Sequence, residues 1–266
     1  MKYIIIIILI FFVNNAFSKT DVDDQKLIKQ KRKFTSLIFF SLGMPFSSGS
    51  KDFFNNYDKF FKGYKKDFKL LPTIIAGTKL RFDNNYRIGV QFLYQKTNLR
   101  DIYSEIVDEV DNSGYREYSQ IFDISDIPIF LTAEYLPYTS QFRTYVGGGL
   151  GFLIRNIKWN ERINSSIILD KRKGGLNFNS TDVFTCLKIY SGLELGFDKM
   201  SEYTFLGSLV FEVSYNYTIA KSEIYKSVKN QFFSEKNELN NKVNILPGYF
   251  IFSVALTFNF NKLENY

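Results

Sequence analysis

The sequence predicts an eight-stranded antiparallel β-barrel that crosses a membrane. Three observations predict this fold class: large apolar residues alternate with small or polar ones, short and long connections alternate between these segments, and aromatic residues make up 18% of the 266 residues. No segment after the N-terminus has the roughly 18 consecutive apolar residues that a spanning helix needs. A closed barrel of strands also satisfies every backbone hydrogen bond in hydrocarbon.

The N-terminus has the pattern of a secretory signal peptide. A positive start precedes an unbroken apolar run over residues 3–13, and small residues occupy the positions one and three before the predicted cut after Ser18. This run is too short for a spanning helix, which needs roughly 20 residues. The predicted organisation is a signal peptide at 1–18, a charged arm at 19–33, a barrel domain at 34–260 and a C-terminal tail at 261–266.

Eight segments are predicted as strands. The first lies near residues 34–44, and its facing stays open. The other seven place large apolar residues on one face and small or polar residues on the other. The last is the clearest, since Phe252, Val254 and Leu256 share a face opposite Ser253 and Ala255. The large apolar faces of the seven lie within 74–82, 86–94, 129–135, 146–154, 187–197, 205–219 and 250–260.

The connections between these segments alternate strictly in length. Short turns rich in turn-forming residues are predicted at 83–85, 137–141 and 198–202. Long connections are predicted at about 45–71, 99–118, 159–181 and 221–246, and in the third the strands are interpreted as continuing above the membrane at 163–169 and 176–178. Antiparallel strands joined in this way have all short turns at one end, as in bacterial outer-membrane barrels.

The facing of the large apolar residues decides between two classes of protein. If they point inward, the chain is a secreted soluble carrier of the lipocalin type. An eight-stranded barrel is only wide enough to be filled by side chains or to hold one small ligand, so it cannot accept five or six large side chains from most strands. The small and polar set fits that interior, which predicts that the rings face lipid.

One hairpin carries a resemblance to known proteins. Residues 127–135, IPIFLTAEY, followed by a short turn and residues 145–152, YVGGGLGF, resemble the central hairpin of small Gram-negative outer-membrane barrels of the OmpA-, OmpW- and PorT-like families. The resemblance implies an outer-membrane location and insertion by the barrel-assembly machinery. It also implies that Phe260 is the terminal aromatic residue recognised in assembly.

Charged residues on the predicted inner face form a candidate site. Because buried charges must be paired or hydrated, the acids are expected to bridge to neighbouring bases. The network either fills and rigidifies the barrel or lines a gated conduit that prefers anions, since bases outnumber acids six to three. Its members are Lys79, Arg81, Arg87, Glu134, Arg143, Arg155, Lys188, Glu194 and Glu212.

The first long connection is predicted to contain a short amphipathic helix, because aromatic residues recur there at helical spacing with lysines between them. The helix either packs its rings on the barrel mouth or contacts lipid head groups and lipopolysaccharide phosphates. The residues proposed for such contact are Phe53, Tyr57, Phe60, Phe61, Tyr64, Lys62, Lys65 and Lys66.

Composition excludes several kinds of chemistry. The chain has no His, which excludes the Ser-His-Asp triad, and its single Cys186 excludes an intramolecular disulfide. Residues 147–151 are glycine-rich, but no Gly-Lys-Ser/Thr follows, so a phosphate loop is not expected. We therefore expect no catalytic residue, cofactor, metal or nucleic-acid partner. The net charge of +7 is moderate and is compatible with an anionic membrane surface or with solubility alone, so it does not by itself indicate nucleic-acid binding.

The predicted function is that of a monomeric outer-membrane barrel with a structural or surface-interaction role through its long extracellular loops. Two alternatives remain open. One is a small-solute channel that prefers anions, or an accessory of secretion. The other is the soluble lipocalin-like carrier.

Overall fold

The protein is described here from a computed structural model. The described residues are 35–47, 49–61, 67–81, 85–106, 115–137, 142–166, 177–197, 206–218, 221 and 243–259. Their elements in chain order are β1 Thr35–Ser47, α1 Lys51–Phe61, β2 Lys69–Leu70, β3 Thr73–Arg81, β4 Tyr86–Ile106, β5 Tyr115–Tyr135, β6 Phe142–Ser166, β7 Asn177–Gly196, β8 Leu206–Thr218 and β9 Gly248–Asn259.

Eight of the nine strands close a barrel. The order around the wall is β4, β3, β1, β9, β8, β7, β6 and β5, and β5 pairs with β4 to complete the circle. Every neighbouring pair is antiparallel, and the short β2 only adds beside β4. The predicted eight-stranded antiparallel barrel is therefore confirmed.

The large apolar side chains face outward. On β9, Phe252 is 54% exposed, whereas Ser253 and Thr257 are buried. On β1, whose facing the sequence left open, Leu42 points outward and Phe39 inward. An apolar exterior around an interior that holds the buried charged side chains is what hydrocarbon requires of a transmembrane barrel, and it is opposite to a carrier with an apolar pocket.

We call this exposed apolar band the lipid belt. It begins at the short-turn end of the barrel and stops part-way up the longer strands. Its limits are marked by Tyr86, Tyr135 and Phe142 at the lower end and by Tyr94, Ile127, Ile154 and Val183 at the upper end. Within the described residues, no helix has the length and apolarity to cross a membrane.

The four strands β4 to β7 rise well above the lipid belt. They contain 21, 21, 25 and 20 residues, whereas β1, β3, β8 and β9 contain 13, 9, 13 and 12. We call this extension the tall wall. The prediction of a loop over 99–118 is wrong, because β4 continues to Ile106 and β5 starts at Tyr115. Above the belt the outside is aqueous, so the large apolar residues of these strands lie on the inner face. The alternation of apolar and polar residues is therefore opposite to the one that identifies a lipid-facing strand.

The predicted helix is confirmed as α1. Asp52 lies in its first turn, where a negative charge is favourable, and the preceding Gly49 has a φ of 98°. Phe53, Phe54 and Tyr57 form its buried face. The helix packs into the mouth of the barrel behind the tall wall rather than on a membrane surface.

Candidate functional site

The lower part of the barrel interior contains a continuous ion-pair network, which we call the lower network. Arg87 lies at its centre, with Nε 2.7 Å from Oε2 of Glu134 and Nη1 2.6 Å from Oε2 of Glu194. Lys79 adds a 2.6 Å ion pair to Glu134, and Arg143 a 3.4 Å ion pair to Glu194. Since β4 and β7 are not neighbours in the sheet, the Arg87–Glu194 pair crosses the lumen.

A second centre of the lower network surrounds Lys188. Its Nζ donates to Oε1 of Glu212 and to Oε1 of Gln91, both at 2.7 Å. Tyr145 donates to Oε2 of Glu212 at 2.9 Å, and Tyr190 joins the two centres by donating to Glu134 at 3.1 Å. Every glutamate of the network thus has at least two polar partners, which offsets its loss of hydration.

The aromatic rings of the lower network also face its cations. The Tyr145 ring centroid lies 5.1 Å from Nζ of Lys79 and 5.2 Å from the guanidinium carbon of Arg87. Lys188 lies 4.6 Å from the centroid of Tyr190. These contacts supply cation–π attraction where water is excluded.

Arg155 occupies a separate position above the lower network. It is fully buried and forms a bidentate pair with Asp126, at 2.8 Å from Nε and 2.7 Å from Nη2. The guanidinium also donates to the backbone carbonyls of Ile245 and Leu246. Leu246 has a φ of 50°, and its amide N–H donates to the Ser50 hydroxyl oxygen at 3.2 Å. Arg155 therefore joins the barrel wall to the segment before β9 and to the start of α1.

The upper part of the interior is filled mainly by rings, which we call the upper aromatic cluster. Phe53 and Tyr57 of α1 pack edge-on against Phe122, whose ring stacks on Trp159 at 4.4 Å. The cluster comprises Phe53, Phe54, Tyr57, Phe68, Leu99, Tyr103, Tyr118, Phe122, Ile124, Ile157, Trp159, Val243, Ile245 and Leu246.

Two buried carboxylates border the upper aromatic cluster. Tyr57 donates to Oδ2 of Asp101 at 3.2 Å, and Tyr103 donates to Oε2 of Glu161 at 2.9 Å. Gln120 links Glu161 to the ring system, because its amide donates to the carboxylate and its oxygen accepts from the Trp159 indole. These polar groups hold the rings of α1 and the wall in register.

The observed interior charge differs from the expectation of excess base. Among the described residues five bases and six acids are buried, because Asp101, Asp126 and Glu161 add to the three predicted glutamates. Arg81 is half-buried at the end of β3, opposite Arg87 in the β3–β4 register. The charge ratio that favoured an anion conduit is therefore absent from the described interior.

The comparisons with known proteins give structural similarity only. The sequence matches no protein-family model and no curated protein. The fold is similar to Neisserial surface protein A, with a TM-score of 0.41, 12% identity, and coverage of 85% of this chain and 97% of that one. It is also similar to OprG of Pseudomonas aeruginosa, with a TM-score of 0.37, 13% identity, and coverage of 85% and 95%.

A third similar structure is that of Ail, the attachment invasion locus protein of Yersinia pestis, solved in complex with the heparin analogue sucrose octasulfate. The TM-score is 0.35 at 15% identity, with coverage of 85% of this chain and 97% of that one.

The residues proposed for lipid contact in the first long connection are placed differently from the prediction. Phe53 and Tyr57 are fully buried in the upper aromatic cluster, so contact with lipid is wrong for both. Their rings find an apolar environment inside the mouth, which removes them from water without a membrane. The side chains of Phe60 and Phe61, together with Lys62, Tyr64, Lys65 and Lys66, lie outside the described residues, as do 1–34 and 260–266.

Two spaces of different size lie beside the lower network, and the larger, of about 340 Å³, is an open recess that Glu134 lines together with Tyr86, Tyr135 and Val146. A cavity of about 10 Å³ lies among Phe39, Ser41, Lys79 and Glu212, which is the lower limit for one water molecule. No cluster of three or more Cys, Asp or Glu side chains in the described part of the chain could hold a metal ion. The arrangement as a whole is suited to closing the lumen.

Proposed function

We propose that this protein is an integral outer-membrane barrel that does not conduct solutes and whose extracellular half is a contact surface. The observation that carries this proposal is the filling of the interior at two successive heights. The lower network draws on six strands, β3 to β8, and the upper aromatic cluster places α1 in the mouth.

The lipid belt supports the location in the membrane. Its residues include Leu131, Leu150 and Ile189, which are 65–67% exposed and which water would not favour as a continuous surface. Barrels with an even number of antiparallel strands and short turns at one end are typical of bacterial outer membranes. Export by a cleaved signal peptide at 1–18 is part of the same proposal.

The occlusion argues against the channel alternative. An ion entering the lower network would have to separate Arg87 from Glu134 or Glu194, which leaves an unpaired charge in a region of low dielectric constant. Above it, the solute would have to displace Phe53 and Tyr57 from Phe122. A surface role, without catalysis, uses the tall wall instead, since these strands extend beyond the lipid belt into the external medium.

The test begins with localisation and ends with conductance. We expect the protein in the outer-membrane fraction, with a gel mobility that changes on heating, and no steady conductance steps in a planar bilayer, while a known porin in parallel does conduct. A second arm uses Arg143→Glu, which should leave the bilayer equally silent. Steady salt-dependent steps whose selectivity changes with Arg143→Glu would overturn the proposal in favour of a channel.

A further inference from the structure

The outward face of the tall wall carries a set of exposed cations, which we call the basic face. Its members are Lys69, Lys96, Arg100, Lys158 and Arg162. The strand register places them on one surface: Lys69 lies beside Asn98 across β2 and β4, and the row continues through Asp123 to Lys158. The row above runs from Arg100 through Ile121 to Asn160.

The basic face has a net positive charge. In addition to its five cations, the same surface carries two half-buried carboxylates, Glu117 and Asp123. Within the described residues, none of the five cationic side chains takes part in an ion pair. Neutral groups fill the positions between them, including Ser125 and Asn160. Because five cations face two carboxylates among the described residues, the surface has an excess of positive charge that is available to an anionic partner.

The height of the basic face above the lipid belt indicates which partner it fits. A tilted strand advances roughly 2.5 Å per residue along the membrane normal. Lys96 is two residues past Tyr94 and is then roughly 5 Å above the belt. Lys158, four residues past Ile154, is roughly 10 Å above it, and Arg100, six residues past Tyr94, roughly 15 Å. An ordinary head-group layer is only about 5 to 7 Å thick. It would reach Lys96 but leave the higher cations without a partner.

We propose that the basic face binds the phosphate-bearing head group of an outer-leaflet glycolipid standing against the barrel. The face is continuous with the lipid belt and points sideways, toward the neighbouring lipid, so a lipid whose chains cover Tyr94 and Ile154 presents its head group to these side chains. A tall phosphorylated sugar head group matches both the charge and the height. This inference rests on the proposed membrane location, but not on the absence of conductance.

The experiment measures binding of purified lipopolysaccharide to the folded barrel in an uncharged detergent. We expect retention that weakens with added salt and after enzymatic removal of phosphate. The variant Arg100→Gln/Lys158→Gln should bind roughly thirtyfold more weakly, as loss of two surface cations implies. A matched variant, Lys51→Gln/Lys221→Gln, removes the same charge from exposed positions outside the basic face and should bind like the wild type.

Three outcomes would overturn the inference. These are equal loss in both variants, unchanged binding of the dephosphorylated lipid, or tight binding of a soluble polyanion such as heparin with none of the lipid. Heat-modifiable mobility is recorded for every sample, so a variant that fails to fold is recognised. The single changes Arg100→Lys and Lys158→Arg keep the charge, so each of these variants should bind the lipid like the wild type. Absence of any heat shift in the wild type would instead overturn the proposed barrel in the membrane.

Discussion

The two halves of the barrel interior are filled by different means. In the lower half the strands themselves supply the filling, because side chains from β3 to β8 meet across a narrow lumen as ion pairs. In the upper half only the four strands of the tall wall continue, and α1 supplies Phe53 and Tyr57 to cover their inner face. The closed half therefore combines ion pairs with a buried apolar cluster that includes Phe39, Phe130 and Leu153, whereas the open half relies mainly on rings.

The difference follows from what surrounds each half. Within the lipid belt most large apolar residues are needed outside, so the interior receives the polar and charged residues, which must be paired, together with a smaller apolar set that includes Phe39, Leu93 and Phe130. Above the belt the exterior is polar, so the wall can place Phe122 and Trp159 inside, as an ordinary half-solvated sheet does. Three changes would test whether the stability of each half depends on its own filling and on what surrounds it.

The largest effect is expected from Arg155, which lies at the junction. Arg155→Met leaves the Asp126 carboxylate buried without its cation and removes the donors to the carbonyls of Ile245 and Leu246. We expect the free energy of unfolding to fall by about 3 to 5 kcal/mol. Urea titration in lipid vesicles measures it, with the fluorescence of Trp159, the single tryptophan, as the signal.

The matched control removes both partners. Arg155→Met/Asp126→Leu leaves no buried charge, so the double variant should be more stable than Arg155→Met alone. A double variant that loses as much as the two single changes combined would show that Arg155 acts mainly through the carbonyls of residues 245 and 246. The stability of the junction would then depend on side-chain to backbone hydrogen bonds and not on the ion pair.

The next effect concerns the boundary between the belt and the tall wall. Leu131→Arg places a charge on an outward side chain that is 67% exposed between Val90 and Leu150, in the middle of the belt. We expect a loss of about 2 to 4 kcal/mol in unfolding free energy, against about 0 to 1 kcal/mol for Thr181→Arg above the belt. Equal losses in the same vesicle titration would mean that the belt does not lie in hydrocarbon.

The same contrast explains what the sequence can and cannot predict. Strands and facing within the belt follow from alternation, because lipid and lumen impose opposite polarity on successive residues. The pair Asp126–Arg155 lies directly opposite in the β5–β6 register and on the inner parity of both strands, so extending β5 by a few residues would have found it. The clear alternation begins only at Ile129, so the strand that it predicts does not include Asp126.

Other contacts depend on geometry that the sequence does not contain. The Arg87–Glu194 pair joins strands that are not neighbours, so it requires the width of the closed lumen. The spacing of Phe53 and Tyr57 predicts a helix and its apolar face, but whether that face meets lipid or Phe122 depends on the tall wall. The sequence predicts a loop for residues 99–118 of that wall, because their pattern has the polarity of a solvated sheet and not of a lipid-facing strand.

The smallest effect compares two adjacent glycines in β6. A Cβ built at Gly147 would lie 2.5 Å from Cζ of Tyr190, the ring whose hydroxyl donates to Glu134, whereas a Cβ at Gly148 would meet nothing nearer than the carbonyl of Lys188 at 3.6 Å. Gly147→Ala must therefore move Tyr190 within the lower network and should cost about 1 to 3 kcal/mol in unfolding free energy. Gly148→Ala points toward lipid and should cost less than about 0.5 kcal/mol. Similar values for both changes would mean that the lower network accommodates shifts of its rings, and that its packing does not set the stability of the closed half.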